Sequence, residues 1–236
     1  MAATTTETHE FLVEGAPSLA VRNFAGNVTL SAGADGQVRV EVTKRARGGF
    51  FGSADDADLE RIHVDVKQSG NMISVEAEAR DRTLLSKQLS IDIDITAPAR
   101  SHLDMHLNAG NTDISGIGGV INAKVNAGNL ETRGVTFDDR SHLTVSAGNL
   151  TLEGALAAGG SLDAEVNAGN ARLTLPQTTS AYLDARTHAG TVHVTGWPID
   201  VTRRFAQMSA SGALGPNASG SLTVRVNAGN IAVLAG

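Results

Sequence analysis

The chain has 236 residues, a formal net charge of −6 and no cysteine, which excludes disulfides and thiolate metal sites and argues against the basic surfaces that grip nucleic acid. Hydrophobic content is 41% but aromatics are only 3%, so the core has to be filled by Val, Ile, Leu and Ala, which suits a narrow interior. No apolar run approaches the roughly 20 residues of a membrane helix, and residues 1–10 are polar without a basic-then-apolar leader, so neither membrane insertion nor a signal peptide is expected.

In chain order, aliphatic strands around Leu19, Val21, Val28 and Leu30 flank a glycine corner at Phe24-Ala25-Gly26-Asn27. Val38, Val40 and Val42 then alternate with polar residues, the pattern of a strand with one buried face. Residues 44–53 are basic, then glycine-rich, and hold the doubled aromatic Phe50-Phe51, which reads either as a flap over the end of the core or as an interaction loop for another chain. Ile62, Val64 and Val66 run through Ser69-Gly70-Asn71 to Ile73, Val75 and Ala77, a β-hairpin with a glycine turn. Leu89, Ile91, Ile93 and Ile95 form a further strand with Asp92 and Asp94 on its other face, and Pro98 stops it. Residues 36–97 are therefore expected to be partly antiparallel and to join or cap the repeats that begin near residue 101.

From residue 101 the chain repeats itself. Asn108-Ala109-Gly110-Asn111 recurs as Asn126-Ala127-Gly128-Asn129, Asn167-Ala168-Gly169-Asn170 and Asn227-Ala228-Gly229-Asn230, with variants Ser146-Ala147-Gly148-Asn149 and His188-Ala189-Gly190-Thr191. The glycines 110, 128, 148, 169 and 190 are 18, 20, 21 and 21 residues apart, and Gly229 comes 39 later, about two periods, with Ala210-Ser211-Gly212-Ala213 read as a degenerate turn between. A period near 20 residues fits one coil of a β-solenoid better than a helical repeat. Apolar residues at −7, −5, −3 and −1 from Gly110, Gly128, Gly169 and Gly229, and at +2 and +4 from Gly26, Gly148, Gly190 and Gly229, predict strand, corner, strand in each coil, with the −1 alanine inside the bend.

At such a corner glycine adopts φ > 0 without steric cost, and asparagine tolerates it better than other side chains. Coils stacked at about 4.8 Å would place the Asn side chains one above another as a hydrogen-bonded ladder. The expected corner ladder is Gly26, Asn27, Gly110, Asn111, Gly128, Asn129, Gly148, Asn149, Gly169, Asn170, Gly190, Thr191, Gly229 and Asn230. The same amides could instead face a sugar or ice. Residues 202–220 are read as an irregular loop, and Trp197 beside Pro198 as closing a wider corner. The last coil, with Leu222, Val224, Val226, Ile231 and Val233, is expected to be an uncapped end and an end-to-end interface, because a cut solenoid exposes unpaired N–H and C=O groups.

No catalytic constellation stands out. His102 and His106 flank Asp104 on one strand face, but a solvated face explains them as well as a metal site does, and Glu165 beside Arg186 reads as a surface ion pair. Neither a cofactor nor a metal is expected. Acidic residues such as Asp92 and Asp94 leave a polysaccharide-active β-helix enzyme as the least supported reading.

The opening residues 19–28, the valine strand 38–42, the strand from Ile91 to Pro98 and the repeated Ala-Gly-Asn coils together resemble the bacterial "putative adhesin" β-strand-repeat family, related to toast-rack-like solenoid domains of the cell envelope. The resemblance covers nearly the whole chain, although many members have Ser-Gly-Asp or Ser-Gly-Asn at the corner. It implies a right-handed solenoid and an envelope or surface role, and it brings no catalytic motif. The reading is an all-β, single-stranded β-solenoid (a parallel β-helix) forming one continuous domain: residues 1–100 an N-terminal β region with the first coil, hairpin and cap, residues 101–236 the regular coils. The function expected is a non-enzymatic, adhesin-like structural protein that associates head to tail with itself, filaments being one outcome; the alternative is a monomeric envelope scaffold that recognises a surface glycan or protein.

Overall fold

The computed structural model describes residues 2–48, 59–79, 87–138 and 140–236. Phe50 and Phe51 lie outside the described residues. The chain is all-β, and among the described residues it forms two mixed sheets of eleven strands each.

The first half contains β1 (Ala2–Leu12), β2 (Ser18–Asn23), β3 (Val28–Gly33), β4 (Gln37–Gly48), β5 (Ile62–Ser69), β6 (Met72–Ala79), β7 (Lys87–Pro98), β8 (His102–Ala109), β9 (Thr112–Ser115) and β10 (Gly118–Gly119). The second contains β11 (Ile121–Ala127), β12 (Leu130–Phe137), β13 (Ser141–Ala147), β14 (Leu150–Leu156), β15 (Ser161–Ala168), β16 (Ala171–Leu175), β17 (Ala181–Ala189), β18 (Val192–Thr195), β19 (Val201–Arg204), β20 (Gln207–Leu214), β21 (Gly220–Ala228) and β22 (Ile231–Ala235).

The unit of construction is an arch: a strand in one sheet, a glycine corner, a strand in the other. The arches are β2–β3, β8–β9, β11–β12, β13–β14, β15–β16, β17–β18 and β21–β22. Neighbouring arches pair in parallel in both sheets, so Leu103 lies against Ile121 and Leu130 against Leu150. Parallel pairing in register stacks the inward residues of successive arches in rows, aliphatic on aliphatic at most positions, with Ser141 standing opposite Leu162 as an exception. Leu103, Ile121, Leu143, Leu162 and Leu222 are all at most 3% exposed, and fully burying such a side chain contributes roughly 1.5–3 kcal/mol. The inner faces meet in one aliphatic core, to which Phe137 and Trp197 add the buried aromatic rings.

Both ends are antiparallel. At one, β4 pairs with β7 and β1 with β4, while β5 and β6 form a hairpin turning at Gly70. At the other, β20 pairs with β17 and β19 with β20.

Five sequence expectations need correction. The arch β21–β22 is not the uncapped end: it lies between β15–β16 and β17–β18, paired in parallel on both sides, and Leu222, Val224, Val226, Ile231 and Val233 are buried there. Its place in space is one step before its place in sequence. Residues 202–220 are not an irregular loop, because most of them form the β19–β20 hairpin, and the supposed turn 210–213 runs straight through β20. The −1 alanine is not inside the bend: Ala109, Ala127, Ala147, Ala168, Ala189 and Ala228 are exposed. Inward alternation stops at −3, since residues 126 and 146 drop out of an otherwise continuous pairing register. Finally, Glu165 does not sit beside Arg186, because Arg225 of the inserted arch separates them.

Candidate functional site

The most ordered polar feature is the corner row. Each corner glycine lies at positive φ, from 114° at Gly26 to 149° at Gly190. The arches approach so closely there that a Cβ on Gly128 would stand 1.7 Å from the carbonyl oxygen of Gly110. Only glycine permits both the conformation and the approach.

The side chain after each glycine forms a continuous hydrogen-bonded line. Asn129 donates its backbone N–H and its Nδ2 to Asn111 Oδ1, at 3.1 and 3.0 Å. Asn149 does the same to Asn129, Asn170 to Asn149 and Asn230 to Asn170. Thr191 ends the line by donating N and Oγ1 to Asn230 Oδ1. At the other end Asn111 N donates to Asn27 Oδ1, and Asn27 N donates to Asp92 Oδ1 at 2.9 Å. Asp92 also forms an ion pair with Arg45 at 2.8 Å. Sequence reasoning placed Asp92 on an outer face but did not connect it to the corner; the parallel pairing of β3 with β7 makes that connection.

A second, broken row runs outside the first. Asn126 Nδ2 donates to Asn108 Oδ1 at 2.9 Å, and Asn227 Nδ2 to Asn167 Oδ1 at 2.7 Å. Ser146 interrupts it, and His188 joins it through Asn227. In both rows the amides spend their hydrogen bonds on one another.

The histidine–aspartate group does not converge. His102 Nδ1 accepts from Val120 N, Asp104 pairs with Arg22 at 2.7 Å, and His106 Nε2 lies 3.1 Å from Asn126 Nδ2. Burial holds the His106 pKa below its ordinary value, helped by Lys124 and Arg22 and opposed by Asp104. Among the described residues no group of three or more His, Cys, Asp or Glu could hold a metal ion. No helix of the described residues is long and apolar enough to cross a membrane.

Surface recesses among the described residues lie away from these rows, apart from a small one of about 90 Å³ beside His188, Arg204 and Met208. A groove of about 320 Å³ lies beside Gly134, Val135, Gly154, Leu175 and Gly236, with Glu153 as its charged member. Another, of about 280 Å³, lies on the outer face near His142, Asp163 and Thr223.

Stacked arches, glycine corners and an asparagine line running across the seven parallel arches describe a repeat scaffold. The chain belongs to the Toastrack family (DUF4097), which matches residues 10–234. Among curated proteins none matches it. Solved structures similar to it include a "putative cell adhesion protein" from Clostridium sporogenes, 13% identical, covering 98% of this chain and 100% of that one at a TM-score of 0.46. A "putative adhesin" from Bacteroides fragilis is 13% identical, covering 97% of each chain at a TM-score of 0.44. A "putative lipid binding protein" from Parabacteroides distasonis is 11% identical, covering 97% of this chain and 96% of that one at a TM-score of 0.31.

Proposed function

We propose that this chain is a non-enzymatic structural protein of adhesin type, a rigid β-solenoid wound from coils of about 20 residues, which associates end to end with copies of itself into a filament. One observation carries the reading: both sheets are open. Among the described residues, one sheet finishes on β1 and β18 and the other on β19 and β5, each paired on one side only. A free strand edge is a template for another strand, which adds backbone hydrogen bonds as it docks. Setting the β18 end of one copy against the β1 end of the next continues the sheet without closing a ring, and a contact that does not close makes a fibre. Arg203 and Arg204 charge β19, as edge strands do when pairing is discouraged, so the sheet containing β1 and β18 leads the contact. Light scattering over a concentration series, with electron microscopy of the same samples, tests this. Mass should rise with concentration and rods should lengthen; a single 24.3 kDa species throughout removes the reading.

A second reading, a monomeric scaffold that binds a surface glycan or protein, is favoured by Phe205. Its side chain is wholly exposed at the β19–β20 turn, beside Arg203 and Arg204. Binding on a glycan array that disappears in Phe205→Ser supports this alternative, and binding unchanged by the substitution discards Phe205 as its contact.

A further inference from the structure

We infer that the arch β21–β22 is exchangeable, and that the slot it fills between β15–β16 and β17–β18 also accepts the same arch from a second copy of this chain. The inference rests on the self-association reading and gives it a different contact.

The arch is the one placed out of sequence order, and it is held from both sides by backbone bonds. Gly169 N donates to Ala228 O at 3.0 Å and Ala171 N to Asn230 O at 2.9 Å; on the far side Gly229 N donates to Ala189 O and Ile231 N to Thr191 O, both at 2.8 Å. An identical arch from another copy makes the same bonds, which is the low-cost character of domain swapping.

The slot can also close once vacated. Leu162 and Leu183 pair with the same residue, Leu222, and Ala168 and Ala189 pair with the same Ala228. In the other sheet Ala171 and Val192 both pair with Ile231. Removal of the arch therefore lets β15–β16 meet β17–β18 in register, leucine on leucine. The outer charges do not forbid either state. With the arch in place Arg225 bonds Asp163 at 3.2 Å but neighbours Arg186; with the slot closed Glu165 would neighbour Arg186 while Asp163 faced Asp184.

A released arch finds no equivalent two-sided site in its own chain, because β20 occupies the far edge of β17. The connection to it, residues 215–219, includes Gly215 at φ 84° and Asn217 at φ 56°, a short turn with a non-glycine residue at positive φ. Glycine and asparagine adopt these conformations readily, so what favours swapping is the shortness of the hinge.

The chain has no cysteine, so introduced ones report single contacts. Asp163 and Thr223 are paired neighbours on β15 and β21, and adjacent strands at about 4.8 Å fall within disulfide reach. Asp163→Cys and Thr223→Cys proteins are mixed, warmed to partial unfolding, cooled and oxidised. A disulfide-linked heterodimer is expected, well above that from Asp104→Cys mixed with Thr223→Cys. The double variant Asp163→Cys/Thr223→Cys should close within its own chain, which establishes that the pair can bond in the folded protein. Failure of the mixture to link while the double variant closes, or a yield equal to the control, overturns the inference. If the oxidised double variant still grows in mass with concentration, association runs through the open ends and the exchange contact is discarded. A linked heterodimer with no growth of the unmodified protein discards the open-end contact instead.

Discussion

Thr191 donates both its backbone N–H and its hydroxyl to Asn230 Oδ1, at 3.0 and 2.8 Å, across 39 residues of sequence. Asn111, Asn129, Asn149, Asn170 and Asn230 both receive from one neighbour in the line and give to another; Thr191 only gives, and among the described residues no later arch asks it to receive. The one corner without an amide is thus the spatial last, although it is not the last in sequence.

That asymmetry predicts unequal costs for two similar truncations. Asn230→Ala leaves two donors of Thr191 without their acceptor and removes the Nδ2 donation to Asn170, while its own backbone N–H stays bonded there. Thr191→Ala removes one hydroxyl donor and leaves its backbone N–H bonded. The first should destabilise by about 1–2 kcal/mol and the second by about 0.5 kcal/mol, with exposure to solvent keeping both modest. Urea unfolding of the two variants checks the order; equal midpoints would mean that the line adds nothing beyond backbone pairing.

A harsher prediction concerns the glycine that precedes each amide. At Gly148, φ is 138° and a Cβ would lie 1.8 Å from the Gly128 carbonyl oxygen, which is backbone and fixed by the stacking. Gly148→Ala should cost several kcal/mol or prevent soluble folding, through strained φ and forced separation of two arches. Gly159 also has positive φ, 72°, but nothing lies within 4 Å of its Cβ position. Gly159→Ala should therefore cost only about 1 kcal/mol, and thermal melts of the two separate close approach from conformation alone.

Asp92 supplies the first acceptor of the line, and its two oxygens have different tasks. Oδ1 receives Asn27 N and Oδ2 meets Arg45. Asp92→Asn keeps an acceptor and loses the ion pair, so it should cost about 0–1 kcal/mol, as for partly exposed pairs. Asp92→Ala also strands the Asn27 N–H and should cost about 1–2 kcal/mol more. Denaturant midpoints of the two variants would coincide if Asp92 acted only through its charge.

The fold is legible in the sequence wherever a buried face imposes a period. Leu103, Met105 and Leu107 alternate because one face is buried, so strands and corners could be read directly. β1 could not, because Thr4 to Thr8 are exposed on both faces of an edge strand and no face imposes a period. The exposed alanines misled because a bend between −3 and −1 breaks the period of two, and alanine looks apolar on either face. The displaced arch was hidden for a different reason: stacking order depends on which edge β20 has already taken, and repeat spacing along the chain does not record it. Among the corner residues the spacing located the amides, whereas the anchoring of Asn27 on Asp92 depends on β7 returning parallel to β3.

His106 gives the fold a dependence on pH. Its ring is held below the ordinary 6.5 first by burial, then by Lys124 and Arg22, with Asp104 opposing. In the folded chain the neutral ring is preferred, and its Nε2 faces the amide nitrogen of Asn126 at 3.1 Å, where an unprotonated nitrogen can accept. The unfolded chain therefore takes up this proton first as pH falls, and stability tracks the proton difference between the two states. The contribution is fully present above about 6.5 and is lost as pH falls from there toward the folded value. His106→Gln keeps a polar side chain that does not titrate in this range. The Tm advantage of the parent protein over this variant should shrink between pH 7.5 and pH 5, and a gap that stays constant across that range would show that His106 protonation is not linked to folding.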